Sequence, residues 1–589
     1  MKDFLKYALA SAVGILLVGI FMGILSFIML VSAAVAGGSA TAVQDGSVLH
    51  LRLTGTLQER ATDNPLADIM GNDVLTNQGL DTMIKAIREA QTNDKISGIY
   101  IEAGALQSDY ASLQELRKAI EEFRAKSKKF VVAYGDQYSQ GTYYVASAAQ
   151  QVWVNPSGMI MWQGIAAQPI FFTDLLKKIG VKMQVFKVGT FKSAVEPYIL
   201  TSMSEANREQ VGAYIGDIWQ AIVADVAKSR KISADSLQAY ADRYTTFAEA
   251  KDLVSCHLAD SLFYLDNVRA NLRRLSGQDK VKLVTPQQLA AVAKPGKSAN
   301  SVAVYYAYGD IVDEASDFGL GGGDSQIVGS RVVKELDDLA NDDMVKAVVI
   351  RVNSGGGSAY ASEQMWRAVQ ELKKKKPVVV SMGGYAASGG YYLSCGASYI
   401  VAEPTTLTGS IGIFGMVPDA SELLTDKLGL HFDVVKTNEA ADFGAMGRAF
   451  RPAEAEAMQQ MVNRGYRLFL SRVAEGRGMK IEAVDAIAQG RVWTGNQALK
   501  HKLVDQLGTL DDAVTKAAAL AKLTDYDVTA APATRTWIEQ ILDKAGKDKY
   551  LEQKLRATLG VYYEPMRFVS TMAGRPTMQA RIPYVPNVR

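Results

Sequence analysis

The sequence has few of the residues from which metal centres and disulfide frameworks are built. Its two cysteines are too few for either a disulfide framework or a thiolate metal site. Its four histidines are scattered, and neither an HExxH nor a CxxC spacing occurs. We therefore expect no metal centre. The cysteines are Cys256 and Cys395, and the histidines are His50, His257, His431 and His501.

The sequence also lacks an excess of charge of either sign. The chain has 64 basic and 62 acidic residues, and it contains no long run of one charge. A polyanion-binding arm or tail is therefore not indicated, and we expect no nucleic-acid partner.

A long hydrophobic run lies near the N-terminus. Residues 7–36 hold 30 residues without a charge, whereas about 20 suffice to cross a bilayer core. A cleavable signal peptide has a shorter apolar centre of roughly 7–15 residues. We expect residues 1–40 to form a transmembrane anchor, although the "AVA" at residues 34–36 leaves cleavage open as an alternative.

The charges on the two sides of this run predict its orientation. Lys2 and Lys6 precede the run, and the next positive charge is Arg52. The positive-inside rule then places the rest of the chain outside the cytoplasm. We expect a single-pass protein of the bacterial cytoplasmic membrane with its domains on the extracytoplasmic side.

The chain repeats itself, which indicates the duplication of one domain. Four blocks recur in the same order, about 247–249 residues apart. The matched blocks are 93–104 with 342–353, 128–136 with 375–384, 150–165 with 398–413, and 248–262 with 496–508.

Each copy has the pattern of an α/β domain. "KAVVIRV" and "KPVVVSM" in the second copy are apolar throughout, as buried parallel strands are, and "SEQMWRAVQELKKKK" between them has helical spacing. Strand, helix and strand form a βαβ unit, so we expect mostly parallel sheets. The predicted divisions are residues 46–284 for the first copy, 285–300 for a linker, 301–524 for the second copy, and 525–589 for a helical tail.

Two glycine-rich turns follow successive strands of the second copy. The first is "RVNSGGGSAYAS" and the second is "SMGGYAASGGYY", with Ser388 at its centre. A serine at the start of a helix, with backbone N–H groups nearby, has the parts needed for acyl transfer. Two other interpretations are a tight strand-to-helix junction without chemistry and a phosphate cradle. The glycine-rich turn is not followed by the Lys and Ser/Thr of a P-loop, which argues against the phosphate cradle.

A nucleophilic serine needs a base, and the residues alone do not select one among the many lysines. The motifs "VNSGGGS", "MGGYAASGGYYLS", "LTGSIGIFG" and "GRVWTG" together resemble the signal peptide peptidase A family, also called protease IV, in its long duplicated form. The similarity extends from about Gly46 to Leu520 and includes the anchor. It implies two tandem domains of Clp protease/crotonase-like fold and serine peptidase activity.

The resemblance also implies the roles of single residues. The serine of "AASGG", Ser388, corresponds to the nucleophile, and the lysine of "GTFKSAVEP", Lys192, corresponds to the general base. The N–H groups of Gly389 and Gly357 correspond to the oxyanion hole. Ser410 corresponds to the hydroxyl that holds the lysine amine, with a helix cap or turn as the alternative.

One departure from the family pattern lies beside this site. The family motif reads "NSPGGS", whereas this chain has Gly355 in place of the proline. The change loosens the turn in the unfolded state and need not move Gly357.

Each copy thus holds half of a predicted dyad. The first copy keeps the lysine and has Gln140 or Gly141 in place of the serine. The second copy keeps the serine and has Ala441 or Asp442 in place of the lysine. The site must be built between copies, either within one chain or between subunits.

The resemblance implies apolar peptides as substrates, notably signal peptides left in the membrane after export. It also implies a homotetramer and no metal or organic cofactor, with the N-terminal helix in contact with membrane lipid. Two alternatives remain, namely an acyl-CoA enzyme of crotonase type and an inactive scaffold at the membrane.

Overall fold

The computed structural model describes residues 43–60, 77–293, 296–314 and 326–533, the backbone of the strand 578–581, and the isolated residues 14, 18, 19 and 22. Nearly all of the predicted anchor therefore lies outside the described residues. Among those that are described, no helix is long and apolar enough to cross a membrane.

The strands fall into three sheets. In chain order they are β1 Ser47–Gln58, β2 Asn77–Gly79, β3 Ile96–Gln107, β4 Phe130–Tyr138, β5 Gln151–Ile160, β6 Lys182–Lys187, β7 Ser261–Leu262, β8 Leu283–Val284, β9 Ser301–Tyr308, β10 Asp310–Val312, β11 Gln326–Val328, β12 Val345–Ser354, β13 Gly356–Ser358, β14 Val378–Ala387, β15 Tyr399–Ala402, β16 Leu407–Gly409, β17 Phe414–Asp419, β18 Val492–Thr494, β19 Gln506–Leu507, β20 Asp527–Ala531 and β21 Met578–Arg581.

The helices cover the sheets and join their strands. They are α1 Leu80–Thr92, α2 Tyr110–Lys126, α3 Gln140–Ala146, α4 Thr173–Ile179, α5 Glu196–Ile199, α6 Glu205–Arg230, α7 Ala234–Asp242, α8 Ala250–Ser255, α9 Leu265–Ser276, α10 Pro286–Val292, α11 Gly329–Asn341, α12 Ala359–Lys375, α13 Gly389–Ser394, α14 Pro452–Arg477, α15 Ile481–Ile487, α16 Gly495–Lys500 and α17 Leu510–Leu520, with short turns of helix at Ser193–Val195, Thr245–Phe247 and Leu423–Lys427.

Each copy contains a mostly parallel sheet, as the apolar strand runs predict. The first copy has the order β2-β1-β3-β4-β5-β7, with β8 beside β1, and all of its pairs are parallel. The second copy has the order β18-β16-β14-β12-β9-β20, and among these only β16 and β18 pair in antiparallel fashion. The duplication seen in the sequence is therefore a duplication of architecture.

The second copy shows why these residues form these elements. Five successive residues of β12, from Ala347 to Arg351, are almost fully buried, as expected for a central strand with both faces covered. Helix α12 begins where Ser358 accepts a hydrogen bond from the N–H of Ala361, and it ends in three lysines that complement the helix dipole. Because β12 and β14 are parallel, the turns that follow these two strands lie at the same end of the sheet.

A third sheet joins the two copies. Its order is β11-β10-β13-β21-β17-β6, so β6 of the first copy lies antiparallel to β17 of the second. The C-terminal strand β21 lies between β13 and β17 and is antiparallel to both. This sheet brings the chain that follows β6 to the carboxyl-end turns of the second copy.

Two regions differ from the sequence expectation. The predicted helical tail contains two strands in its described part, because β20 pairs in parallel with the edge strand β9 and β21 enters the third sheet. The predicted linker contains α10, which packs on α1 with Leu289 fully buried. Burial of that leucine attaches the segment to the first copy.

Candidate active site

Ser388 lies at the sharp turn between β14 and α13. Its φ of 55° and ψ of −112° are unusual for a residue with a side chain, and its N–H donates to the carbonyl of Gly409 at 2.9 Å. The side chain is fully buried. Strained backbone of this kind persists where the surrounding structure holds it, and such positions cluster at functional sites.

Lys192 of the first copy reaches this serine. Its Nζ lies 2.8 Å from Ser388 Oγ, and it donates to both the carbonyl oxygen and Oγ of Ser410 at 3.1 Å. The lysine is fully buried, and no carboxylate is among the groups that perturb it. Burial alone lowers the pKa of Lys192 well below its ordinary value. A neutral amine can accept the proton of Ser388.

The Lys192 segment is fixed against the second copy by close backbone packing. The N–H of Phe191 donates to the carbonyl of Gln489 at 2.9 Å. The neighbouring Gly490 has a φ of +78°, and a Cβ there would lie 2.6 Å from Lys192 Cβ. Real Cβ atoms do not approach so closely, so the lysine backbone needs glycine at this position.

Ser410 connects the lysine to the same segment. Its N–H donates to the carbonyl of Arg491 at 2.7 Å, and its φ is 48°. Its Oγ lies 3.1 Å from Lys192 Nζ, within hydrogen-bond distance of the amine.

The two predicted oxyanion donors lie in elements that pack on each other near Ser388. Gly389 is the first residue of α13. Gly357 lies in β13 with a φ of 158°, and a Cβ there would lie 2.0 Å from the carbonyl oxygen of Ile311. A Cβ on Gly390 would lie 2.7 Å from the carbonyl oxygen of Ser354, so the turn before β13 presses on the start of α13.

The first copy has a glutamine at the position of the serine. Tyr143 donates to the carbonyl of Leu258, and Tyr391 donates to that of Leu503, both at 2.9 Å. Alignment of these equivalent bonds places Gln140 opposite Ser388, which decides between Gln140 and Gly141.

The side chain of Gln140 is satisfied by structural hydrogen bonds. Its Nε2 donates to Tyr110 Oη at 2.9 Å and to the carbonyl of Gly164 at 3.0 Å. Its Oε1 accepts from the N–H groups of Gln163 and Gly164 at 3.0 Å. In the first copy, the position of the nucleophile is therefore occupied by a residue that connects the start of α2 to the loop at residues 163–164.

The second copy has an ion-paired carboxylate near the position of the lysine. Asp442 accepts a hydrogen bond from Arg451 at 3.0 Å and lies 3.2 Å from Arg448. The hydrogen bond from Arg451 lowers the pKa of Asp442 to about 2. The Asp442 carboxylate therefore stabilises a surface loop through its arginine partners.

Sequence reasoning missed two residues that shape the site, Gly490 and Gln210. Gln210 contacts the residues on both sides of Lys192 and accepts from the N–H of Val492, 282 positions away. No local pattern marks a contact across such a distance. The comparison of the two copies offers the only sequence signal, because α14 has Ala457 at the position that corresponds to Gln210.

The family model for peptidase family S49 matches residues 123–279 and 370–524, one match in each copy. A second family model, for CoA-ligase, matches residues 303–397. The first match covers more than half of the chain, and the second covers less than a fifth.

Curated relatives align over most of the chain. The protein named Protease 4 from Salmonella typhi is 36% identical, over 86% of this chain and 84% of its own length. Protease 4 from Haemophilus influenzae is 33% identical, over 85% and 83%. The chloroplastic serine protease SPPA of Arabidopsis thaliana is 28% identical, over 82% and 70%. Among solved structures, a ClpP1 mutant from Listeria monocytogenes has a TM-score of 0.24 and 15% identity, covering 37% of this chain and 95% of its own.

Proposed function

Since this chain belongs to peptidase family S49 and is a serine peptidase, we propose that it cleaves peptides with Ser388 as nucleophile and Lys192 as general base. One observation carries the proposal, namely the 2.8 Å separation of Lys192 Nζ and Ser388 Oγ in a fully buried setting. The halves of this dyad come from the two copies of one chain.

The chemistry follows from the contacts. Lys192 takes the proton as Ser388 Oγ attacks the peptide carbonyl, and the N–H groups of Gly357 and Gly389 stabilise the oxyanion. The lysine then gives that proton to the leaving amine, and an acyl-enzyme remains. A water that Lys192 deprotonates attacks the ester, and the lysine then returns that proton to Ser388 Oγ as the acid product leaves. The hydrogen bonds from Nζ to Ser410 aim the amine at the nucleophile through both steps.

The substrate binds as an extended strand in this proposal. Strand β21 lies antiparallel between β13 and β17, with Gly357 opposite Ala580. A peptide in the same position would run past the N–H of Gly357 with its backbone paired on both sides, a common mode of peptide recognition. Folded proteins cannot offer such a strand, so short or unfolded chains are favoured.

Apolar peptides of the membrane, including remnant signal peptides, are the proposed substrate class. The support is the uncharged run of residues 7–36, which is long enough to anchor the chain beside such peptides. Two lysines before the run and none directly after it support an extracytoplasmic active site.

A homotetramer is also proposed, and its support is the strand pairing that joins the two copies. Within the chain, β6 of the first copy pairs with β17 of the second. At the repeat offsets of 249 and 248 residues, residues 431–436 correspond to β6 and residues 166–171 correspond to β17. Neither forms a strand in the described part of the chain, and Val435 and Ile170 are 99% and 69% exposed. Pairing between chains would repeat the internal junction, and head-to-tail contacts of this kind form a ring when the rotation from one chain to the next closes.

The test uses the full chain as wild type, Ser388→Ala and Lys192→Met. We expect each variant to lose roughly 10³-fold or more of kcat on an apolar fluorogenic peptide, because residues that act as a unit fail together. Fluorophosphonate labelling of Ser388 should disappear in both. Matched controls are Ser362→Ala, a fully buried serine of α12, and Lys187→Met in β6. Wild-type turnover in either dyad variant would overturn the proposal.

The CoA-ligase match favours one second candidate, an enzyme that acts on acyl-CoA thioesters. Hydrolysis of a short acyl-CoA by the wild type is the discriminating assay. Thioester turnover that survives in Lys192→Met, without peptide cleavage, would support this candidate. An absence of both activities in the wild type would favour an inactive scaffold.

A further inference from the structure

Gln210 joins the two halves of the site through its side-chain amide. It lies in α6 of the first copy and is 1% exposed. Its Nε2 lies 3.0 Å from the carbonyl oxygen of Phe191 and 2.9 Å from Ser193 Oγ, the residues on either side of Lys192. It also lies 3.2 Å from Asn207 Oδ1. Both N–H groups of the amide therefore have acceptors within the first copy.

The other end of the amide reaches the second copy. Gln210 Oε1 accepts from the N–H of Val492 at 3.2 Å. Val492 directly follows Arg491, whose carbonyl accepts from the N–H of Ser410, and Arg491 directly follows Gly490, which packs on the Lys192 backbone. One buried side chain thus connects the segment that carries the lysine to the segment that orients its amine.

The duplication provides an internal comparison. Helices α6 and α14 are both 26 residues long, and alignment of their first residues places Gln210 opposite Ala457. Ala457 is exposed. The second copy, which lacks the counterpart of Lys192, therefore also lacks the counterpart of the Gln210 amide. The next position of the helix is a core position and is apolar in both copies, as Val211 and Met458.

We infer that Gln210 is a positioning residue for the peptidase reaction, which sets the Lys192 segment in register with the second copy so that the amine faces Ser388. The inference rests on the proposed function, since it concerns the geometry of that dyad. Gln210 itself touches neither Ser388 nor the Lys192 side chain among its hydrogen-bond partners.

Removal of the amide has a specific chemical consequence. The carbonyl of Phe191 and the N–H of Val492 would each lose a buried partner, and the segment would shift to let water reach them. Lys192 has a lowered pKa because it is buried. Water at Nζ would raise that pKa, and the base would then be protonated over a wider range of pH.

The test compares pH profiles of kcat/KM for the full-length wild type, Gln210→Met and Ser193→Ala. Gln210→Met keeps the side-chain length and removes both ends of the amide. We expect kcat to fall by between about 10-fold and 100-fold, the effect of a small misplacement of a catalytic group, with KM within about twofold. We also expect the acid limb to move to higher pH. Ser193→Ala removes a single acceptor, so its changes should have the same direction and be smaller.

The matched control is Gln238→Met, which removes a glutamine that accepts from Trp219 Nε1 at 2.8 Å elsewhere in the first copy. Its profile should equal that of the wild type. A Gln210→Met enzyme with wild-type kcat and acid limb would overturn the inference. Activity that falls only with the folded fraction, while the acid limb stays in place, would also overturn it. If Ser388→Ala retains activity, the proposed function fails instead, which separates the two failures.

Discussion

At the scale of single residues, the site depends on a glycine that makes no chemical contribution. Gly490 has positive φ, and its Cα faces the Lys192 backbone so closely that a Cβ would lie 2.7 Å from both N and Cα of the lysine. These are backbone atoms, which cannot move aside as a flexible side chain does. An alanine would have to displace the lysine or the turn that contains residue 490.

We therefore predict that Gly490→Ala lowers kcat by about 100-fold, in line with the cost of a displacement near 1 Å. The measurement is peptide hydrolysis together with the rate of fluorophosphonate labelling. Gly478→Ala is the control, because Gly478 also has positive φ of +62° but has no atom within 4 Å of its ideal Cβ. Equal losses in the two variants would mean that backbone strain, and not crowding of Lys192, is responsible.

The parts of the site differ in how far sequence could predict them. Ser388 follows a buried strand and begins a helix within a glycine-rich turn, so the local pattern marks it as a candidate nucleophile, and the family resemblance selects that interpretation over a junction without chemistry. Lys192 lies 196 positions away, and only the resemblance of its motif distinguished it from other lysines. Gly490 and Gln210 act through packing between the copies, and such contacts have no local signature.

At the scale of elements, periodicity predicted the buried strands and the helix between them but failed for the tail. The runs in β12 and β14 are apolar because both faces of the sheet are covered, which is a local signal. Strand β20 is formed by pairing with the edge strand β9, whose residues lie 226 positions earlier in the chain. Its sequence "DVTAA" has no strong preference of its own, so tertiary pairing decides its structure.

Strand β21 gives a prediction about substrate access. It lies between β13 and β17, where the proposed substrate strand binds. Deletion of residues 578–589 should therefore remove a competitor, lower KM for peptides by severalfold, and leave kcat near that of the wild type. Steady-state hydrolysis by the two forms is the measurement. A higher KM in the truncated form would instead make β21 a part of the substrate site.

At the scale of the whole molecule, a buried polar network holds the two copies together. Arg351 of the second copy pairs with Glu59 at 2.8 Å and Glu115 at 2.6 Å, both from the first copy, and all three are nearly fully buried. Loss of one partner from such a network leaves an uncompensated buried charge. The network keeps the copies in register, and the split site requires that register.

Glu403 lies next to this network and gives a pH dependence to stability. Burial, and then the charge of Glu115, raises the pKa of Glu403 well above its ordinary value of 4.5, although Arg351 and Lys118 oppose the shift. Below pH 4.5 the carboxyl is protonated in both the folded and the unfolded state, so it does not lower the free energy of unfolding. As the pH rises, the unfolded state ionises first, so the free energy of unfolding falls by about 1.4 kcal/mol for each unit between the two pKa values.

We predict that Glu403→Gln raises the melting temperature relative to the wild type, and that the difference grows from pH 5 to pH 8. Thermal unfolding at several pH values is the measurement. Glu482→Gln, at an exposed position of α15, should show a constant difference. A constant difference for Glu403→Gln would mean that the carboxyl is ionised in the folded protein.

Assembly should depend on the two exposed segments that correspond to β6 and β17. If residues 431–436 of one chain pair with residues 166–171 of the next, a charge at either segment should prevent the ring from closing. We expect Val435→Asp and Ile170→Asp each to convert the assembly into smaller species, as measured by light scattering after size-exclusion chromatography. Leu520→Asp, at a position of α17 that is 41% exposed, is the control and should leave the mass unchanged. Since Lys192 and Ser388 meet within one chain, the dissociated variants should still be labelled by fluorophosphonate. Dissociation with loss of labelling would mean instead that contacts between chains maintain the dyad, and an unchanged mass in both variants would contradict the proposed interface.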